Sequence, residues 1–159
     1  MLCPRAADAL RARIPDVVEA YRAALLRRGS PLAARPEAWP QTRRQALAIL
    51  GECADALGRG VPPPVTETDD YTRLLGAHRA LQRIPAAESV RAVEVLWSAL
   101  EAAVHRIAGP GPAEDGSRVY RCVNTAFRAA AGVRLLAGLL GYEEALGRAL
   151  AARPDPPEP

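Results

Sequence analysis

The chain has 159 residues, of which 49% are apolar and 25% charged, so it suits one folded domain and is neither disordered nor collagen-like. All 21 basic residues are arginines, and they are spread among 18 acidic residues to give a net charge of +3. Aromatic residues make up only 4%, so the basic stripe with stacking rings that binds nucleic acid is missing.

The N-terminal residues lack the apolar stretch and the small-residue cleavage site of a secretory signal. No apolar run along the chain is long enough to cross a bilayer. The three cysteines are odd in number and form no CxxC pair, which fits a reducing compartment. We therefore expect a cytoplasmic protein without membrane contact.

Apolar spacing at the start of the chain predicts two helices that meet at a proline. The first covers residues 4–13, and the second begins with Pro15 in its first turn and runs to residue 28. Gly29 follows as a C-terminal cap. The segment 30–36 is a connection with room for one helical turn.

A long third helix is predicted over residues 36–59, with Pro40 tolerated in its opening turns. Its apolar stripe includes Cys53, which we interpret as a small core hydrophobe, and Gly60 ends the helix. The proline run that follows, 61–65, cannot form a helix and is expected to be an extended surface link.

Two further helices are predicted before the next break. The fourth covers residues 68–83, and Thr68, Asp69 or Asp70 would cap its start. Pro85 opens the fifth, over 85–108. The apolar residues of the fifth helix alternate by three and four, and they are Val90, Val93, Trp97, Leu100, Val104 and Ile107. The Gly-Pro sequence 109–112 ends this helix.

The last helical stretch, 117–153, is predicted to be one long helix or two nearly collinear ones, with a kink near Leu140 at Gly138 and Gly141. The Pro-rich end, 154–159, is expected to be disordered. The predicted elements together make an all-α domain of five to seven helices over residues 1–153.

The last helix carries more apolar surface than one buried stripe needs. Leu135, Leu136, Leu139 and Leu140 spread over much of its circumference and must be covered on several sides. A second copy of the chain is the simplest way to bury this apolar surface, so we predict a homodimer formed by helices near the termini. Neighbouring helices of the same chain are the alternative cover.

Several segments between residues 14 and 140 carry a family resemblance. They are IPDVVEAY (14–21), LLRRGSPL (25–32), RQALAIL (44–50), LGAHRALQ (75–82) and ESVRA (88–92). Together they resemble the N-terminal sensory domain of stressosome co-antagonist proteins, the RsbR and RsbRD group. Similar modules precede sensor histidine kinases and transcriptional regulators.

The resemblance implies a globin-like, all-helical, dimeric domain, commonly without haem, that senses or regulates by contact. No kinase, STAS or DNA-binding output domain follows in the printed sequence, so we expect a stand-alone sensor-like module.

Few residues suggest chemistry. Two histidines, His78 and His105, are too few for a metal site with several histidine ligands. Glu101 precedes His105 by about one helical turn, so a hydrogen bond between them is possible. In a globin-like fold either histidine would be the candidate haem ligand, but His105 also fits an ordinary residue at the edge of the apolar stripe. We assign no catalytic residue, no metal and no cofactor.

Candidate residues for a ligand pocket or an interface are the large side chains of the last two helices. They are Trp97, Tyr120, Phe127, Leu136 and Leu140. The simpler interpretation of the rings is that they fill core volume.

The leading functional hypothesis is a regulatory module without catalysis that dimerises and binds a protein or an apolar small molecule. The first alternative is a small enzyme or carrier of a biosynthetic pathway with a hydrophobic substrate in the bundle core. An arginine such as Arg79, Arg121 or Arg128 would then anchor a carboxylate. The second alternative is a haem-binding globin relative. A cavity of roughly several hundred cubic ångströms that contains an arginine would favour ligand binding. The absence of such a cavity, together with a broad apolar dimer face, would favour protein–protein interaction.

Overall fold

A proline lies inside the N-terminal helix without ending it. The computed structural model describes residues 4–60, 69–109 and 113–154, and its first helix, α1, spans Pro4–Arg27 with Pro15 inside. The prediction of two helices is therefore wrong. A proline removes one helical hydrogen bond, but Leu10 before it and Val17 after it are buried in the same core, which favours one continuous helix.

Glycine caps end the first and third helices, as predicted. Gly29 has a φ of 67° and Gly60 a φ of 74°, in the left-handed region that glycine adopts without strain. Between them lie α2, which is the single turn Pro31–Ala34, and α3, which spans Trp39–Arg59. The start of α3 is later than the predicted residue 36, and its first turn holds Pro40 as expected.

The fourth and fifth helices lie where apolar spacing predicts them. They are α4, Asp69–Leu81, and α5, Ala86–Ala108, which Pro85 directly precedes. Val90, the first residue of the apolar pattern in the fifth helix, does not lie on its buried face, because this side chain is 44% exposed. The buried face of α5 is centred near Leu96, about a third of a turn from Val90 at 100° per residue.

The last helix, α6, spans Ala113–Ala151 without interruption, which confirms one long helix, the first of the two predicted alternatives. One of the two glycines placed at the predicted kink, Gly141, has a role in helix packing. A Cβ atom on Gly141 would overlap the backbone of Arg73 in α4. The absence of a side chain therefore allows α4 to lie directly against α6.

The helices form two packing layers. The main core lies among α1, α2, α3, α5 and the N-terminal part of α6, and its fully buried side chains include Leu10, Leu50, Leu100 and Phe127. The residues of α4 are not part of that core, since α4 packs chiefly along the C-terminal half of α6. We call α4 and residues 132–151 the α4–α6 layer. The described residues contain six helices and no strand, which confirms the predicted all-α class.

Some predicted features lie outside the described residues. They are the extended link 61–65, residues 110–112 of the Gly-Pro break, and the tail from residue 155 onward. Thr68 and the side chain of Asp69, two of the possible helix caps, also lie outside. None of the helices in the described part of the chain has the length and apolar character needed to cross a membrane.

Candidate functional site

A cavity lies where the main core meets the α4–α6 layer. Side chains from all six helices line it, and its volume is about 60 Å³. Much of its wall is apolar, and this part includes Ile49, Leu75, Leu96 and Leu139. The cavity is thus far smaller than the several hundred cubic ångströms that would hold a large substrate, but two arginines line it, Arg79 and Arg134.

Arg79, on α4, brings a buried positive charge to this cavity. The residue is only 5% exposed. Its Nη2 donates to the Thr42 hydroxyl at 2.8 Å, and its Nη1 lies 3.4–3.5 Å from three neutral oxygens, which belong to Ala38, Gln41 and Gln82. Among the described residues no carboxylate forms an ion pair with Arg79. Burial lowers the pKa of the guanidinium, because the charged form loses its hydration.

Tyr21, on α1, lines the same cavity and supplies a neutral hydroxyl. Its ring packs against Trp39, with 6.1 Å between the ring centroids. Burial raises the pKa of the Tyr21 phenol, and the nearby charge of Arg79 acts in the opposite direction. Tyr21 therefore stays protonated at neutral pH and can donate a hydrogen bond. Within the described part of the chain, no hydrogen bond of this hydroxyl is seen.

Arg134, on α6, is as buried as Arg79, but its charge is balanced. Its Nη1 donates at 3.1 Å both to Oε2 of Glu52 and to the Ala130 carbonyl, and its Nη2 pairs with the other oxygen of Glu52. This two-pronged pair joins α6 to α3. Of the two cavity arginines, only Arg79 lacks an acidic partner among the described residues.

The three predicted aromatic candidates lie together, but they do not line the cavity. The ring of Trp97 lies between α5 and α6, with its centroid 5.2 Å from that of Phe127 and 5.9 Å from that of Tyr120. The Tyr120 hydroxyl donates to Glu101 at 2.8 Å. The ring of His105 stacks on that of Tyr120, with 5.6 Å between the centroids. Glu101 is therefore hydrogen-bonded to Tyr120 rather than to His105.

The other predicted candidates lie on the surface. On α6, Leu136 is 62% exposed and Leu140 is 40% exposed. His78 and His105 are both exposed and neither lines the cavity, so a haem placed there would find no histidine ligand.

Of the three arginines considered as carboxylate anchors, only Arg79 lines the cavity. Arg121 is exposed, and Arg128 pairs with Glu94 on the surface at 3.1 Å. Sequence reasoning did not identify Arg134 as a cavity residue. The available signal was its position within an apolar run, since helical spacing places it on the same face as the buried Ala130 and Ala137.

No family model, no curated protein and no solved structure matches the chain. The candidate function therefore rests on the cavity and on the charges around it. In the part of the chain that the structure describes, no group of three or more His, Cys, Asp or Glu side chains is placed to hold a metal ion.

Proposed function

We propose that the protein is a regulatory module without catalysis of its own, which binds a small anionic molecule at Arg79 and acts as a homodimer. The observation that carries this proposal is the buried guanidinium of Arg79, which lines a mostly apolar cavity and meets only neutral acceptors among the described residues.

A buried charge without a partner is costly. Removing an ion from water carries an effective penalty of several kcal/mol, and neutral acceptors recover only part of it. A carboxylate or another anion recovers more, because its negative charge attracts the guanidinium directly in a medium of low dielectric constant. Arg79 is therefore suited to a ligand that brings the missing negative charge.

The position of the cavity supports a regulatory use. Arg79 belongs to α4, and its neutral acceptors Ala38, Gln41 and Thr42 lie at the start of α3. An anion that draws the guanidinium away from these acceptors would change how the α4–α6 layer sits on the main core. Such a shift is the kind of two-state change through which ligand binding is transmitted.

The exposed side of α6 supports the dimer. Leu136, Leu140, Leu146 and Leu150 are 40–63% exposed. At 100° per residue they lie within about a third of the helix circumference, on the side opposite the contact with α4. A second copy placed there would cover this apolar face and would contact the layer that carries Arg79.

The resemblance to the sensory domain of the stressosome co-antagonists favours the same function. That resemblance implies a dimeric helical domain that regulates by contact. The small anion that binds at Arg79 would be the signal to which such a domain responds.

Native mass spectrometry of freshly purified protein tests the proposal, because it reports the number of subunits and any retained ligand together. We expect a dimer that carries a small anionic adduct, and we expect Arg79→Gln to lose the adduct while staying folded. Arg128→Gln, which changes an exposed arginine, is the matched control and should keep it. A monomer, with no adduct and no anion binding on titration, would contradict the proposal.

A further inference from the structure

We infer that the Arg79 cavity is selective for a short-chain monocarboxylate, and that Glu52 sets this selectivity by neutralising Arg134. This inference rests on the proposed function and names the ligand class of that site. Three observations carry it: the count of charges around the cavity, the donors that face it, and its size.

Arg79, Arg134 and Glu52 together give the surroundings of the cavity a net charge of one positive unit. Both cavity arginines are buried, but the two oxygens of Glu52 engage both terminal nitrogens of Arg134. Arg79 has only neutral acceptors among the described residues. One negative charge on the ligand therefore balances the site, and a second would be buried without a partner in a medium of low dielectric constant.

The donors around the cavity suit a carboxylate. Nη2 of Arg79 is held by Thr42 at 2.8 Å, but the three contacts of Nη1 are 3.4–3.5 Å long, at the outer limit of a hydrogen bond. Of the four acceptors only Thr42 lines the cavity, so a carboxylate would meet Nη2 beside Thr42, and the weak contacts of Nη1 allow the guanidinium to turn toward it. Tyr21 lines the same cavity, so its hydroxyl is a second donor available to the ligand.

The size of the cavity limits the rest of the ligand. An apolar cavity of about 150 Å³ takes up benzene, whereas this cavity has a volume of about 60 Å³. Because the cavity is partly open to solvent, its enclosed part takes the carboxylate with the carbon next to it, and a short apolar body of about two to four carbons reaches from there to the opening. Leu75 and Leu96 offer it an apolar surface, so hydrophobic burial adds to the charge interaction.

The test compares three ligands on the wild-type protein at pH 7.5 by isothermal titration calorimetry, and the monoamide of methylmalonate is the control that has the size of methylmalonate but only one charge. Isobutyrate carries one charge, isobutyramide has the same shape without charge, and methylmalonate replaces one methyl group of isobutyrate with a second carboxylate. We expect isobutyrate to bind at least about tenfold more tightly than either of the others, since isobutyramide cannot balance the charge of Arg79 and the second carboxylate of methylmalonate would be buried without a partner.

Two variants then test the assigned roles. Arg79→Gln should weaken isobutyrate binding at least about tenfold, and Arg128→Gln should leave it unchanged. Glu52→Gln removes the negative charge beside Arg134 and keeps a hydrogen-bonding group there. We expect this variant to bind methylmalonate more tightly than the wild type does, and so to reverse or abolish the preference for isobutyrate.

The outcomes separate this inference from the proposed function. If methylmalonate or inorganic phosphate binds the wild type as tightly as isobutyrate, the inference is wrong while the anion site stands. If no anion binds the folded wild type, both fail. If a variant does not fold, the comparison of the three ligands on the wild type still decides the selectivity. Isobutyrate binding equal to that of isobutyramide would also overturn the inference.

Discussion

Gly76 of α4 lies so close to Gly138 of α6 that a methyl group on Gly76 would overlap the Gly138 backbone. One helical turn away, Gly141 makes a similar approach to the backbone of Arg73. These two contacts bring the backbones of α4 and α6 together, and the exposed ion pair between Arg73 and Glu144 adds a side-chain link between the same helices. They also set the position of α4 along α6, and with it the place where Arg79, one turn along α4 from Gly76, reaches the cavity.

Alanine substitutions at these glycines should therefore be costly. Gly76→Ala and Gly141→Ala force the two backbones apart, and we expect each to lower the free energy of unfolding by about 1–3 kcal/mol or more. Gly132 and Gly147 of α6 have open space around them and serve as controls. Alanine there should be neutral or stabilise by up to about 1 kcal/mol, because alanine is the better helix former. Urea unfolding of the four variants gives the comparison, and equal effects in all four would refute the close packing.

The pair between Arg134 and Glu52 should contribute more to stability than a surface pair does. Arg134 has a side chain only 6% exposed, so Glu52→Ala leaves a buried charge without its partner. We expect a loss of about 2–3 kcal/mol in the free energy of unfolding, reduced from the fully buried case because Glu52 itself is partly exposed. Glu94→Ala, which breaks the exposed pair with Arg128, should cost less than about 1 kcal/mol. Equal losses in chemical denaturation would count against this difference.

The thiol of Cys53 should be unreactive in the folded protein. Burial, reinforced by the charge of Glu52, raises the pKa of this thiol to about 12, and the side chain has no exposed surface. At pH 8 only about one molecule in 10,000 would then carry the reactive thiolate. Labelling with a thiol reagent, followed by peptide mass mapping, should modify Cys53 in urea and spare it in native buffer. Rapid native labelling of Cys53 would show that this position opens or is not buried.

The exposed leucines of α6 should decide the oligomeric state. Leu136→Glu and Leu140→Glu place charges on a surface that is already exposed, so the fold should survive while the dimer dissociates. Leu26→Glu, at a 47% exposed position on α1, is the matched control and should leave the dimer intact. Sedimentation velocity measures all three. A wild-type monomer, or dimers that both α6 variants retain, would rule out this interface.

The sequence predicts the helices well because apolar periodicity and glycine caps are local signals. The ends at Gly29 and Gly60 and the start of α5 after Pro85 are examples. Local rules fail at Pro15, where the continuity of α1 depends on burial of both its halves in one core. They also miss the role of Gly141, since a glycine that kinks a helix and a glycine that admits a neighbouring helix look the same in the sequence.

The candidate site is only partly predictable from the sequence. Arg79 is one of 21 arginines, and its burial depends on where α4 packs, which no local pattern encodes. The pairing of Arg134 with Glu52 joins residues 82 positions apart in the chain. The exposed side of α6 is more accessible to sequence reasoning, because its surplus of leucines is visible in the helical spacing.

The most direct measurement of the central claim is the NMR signal of the Arg79 side-chain N–H, assigned by its loss in Arg79→Gln. On titration of the folded wild type with isobutyrate, we predict a saturable shift of this signal, with the exposed Arg128 signal unmoved. An Arg79 signal that stays unchanged up to high isobutyrate concentration, or that moves only together with Arg128, would contradict the assignment of Arg79 as an anion receptor.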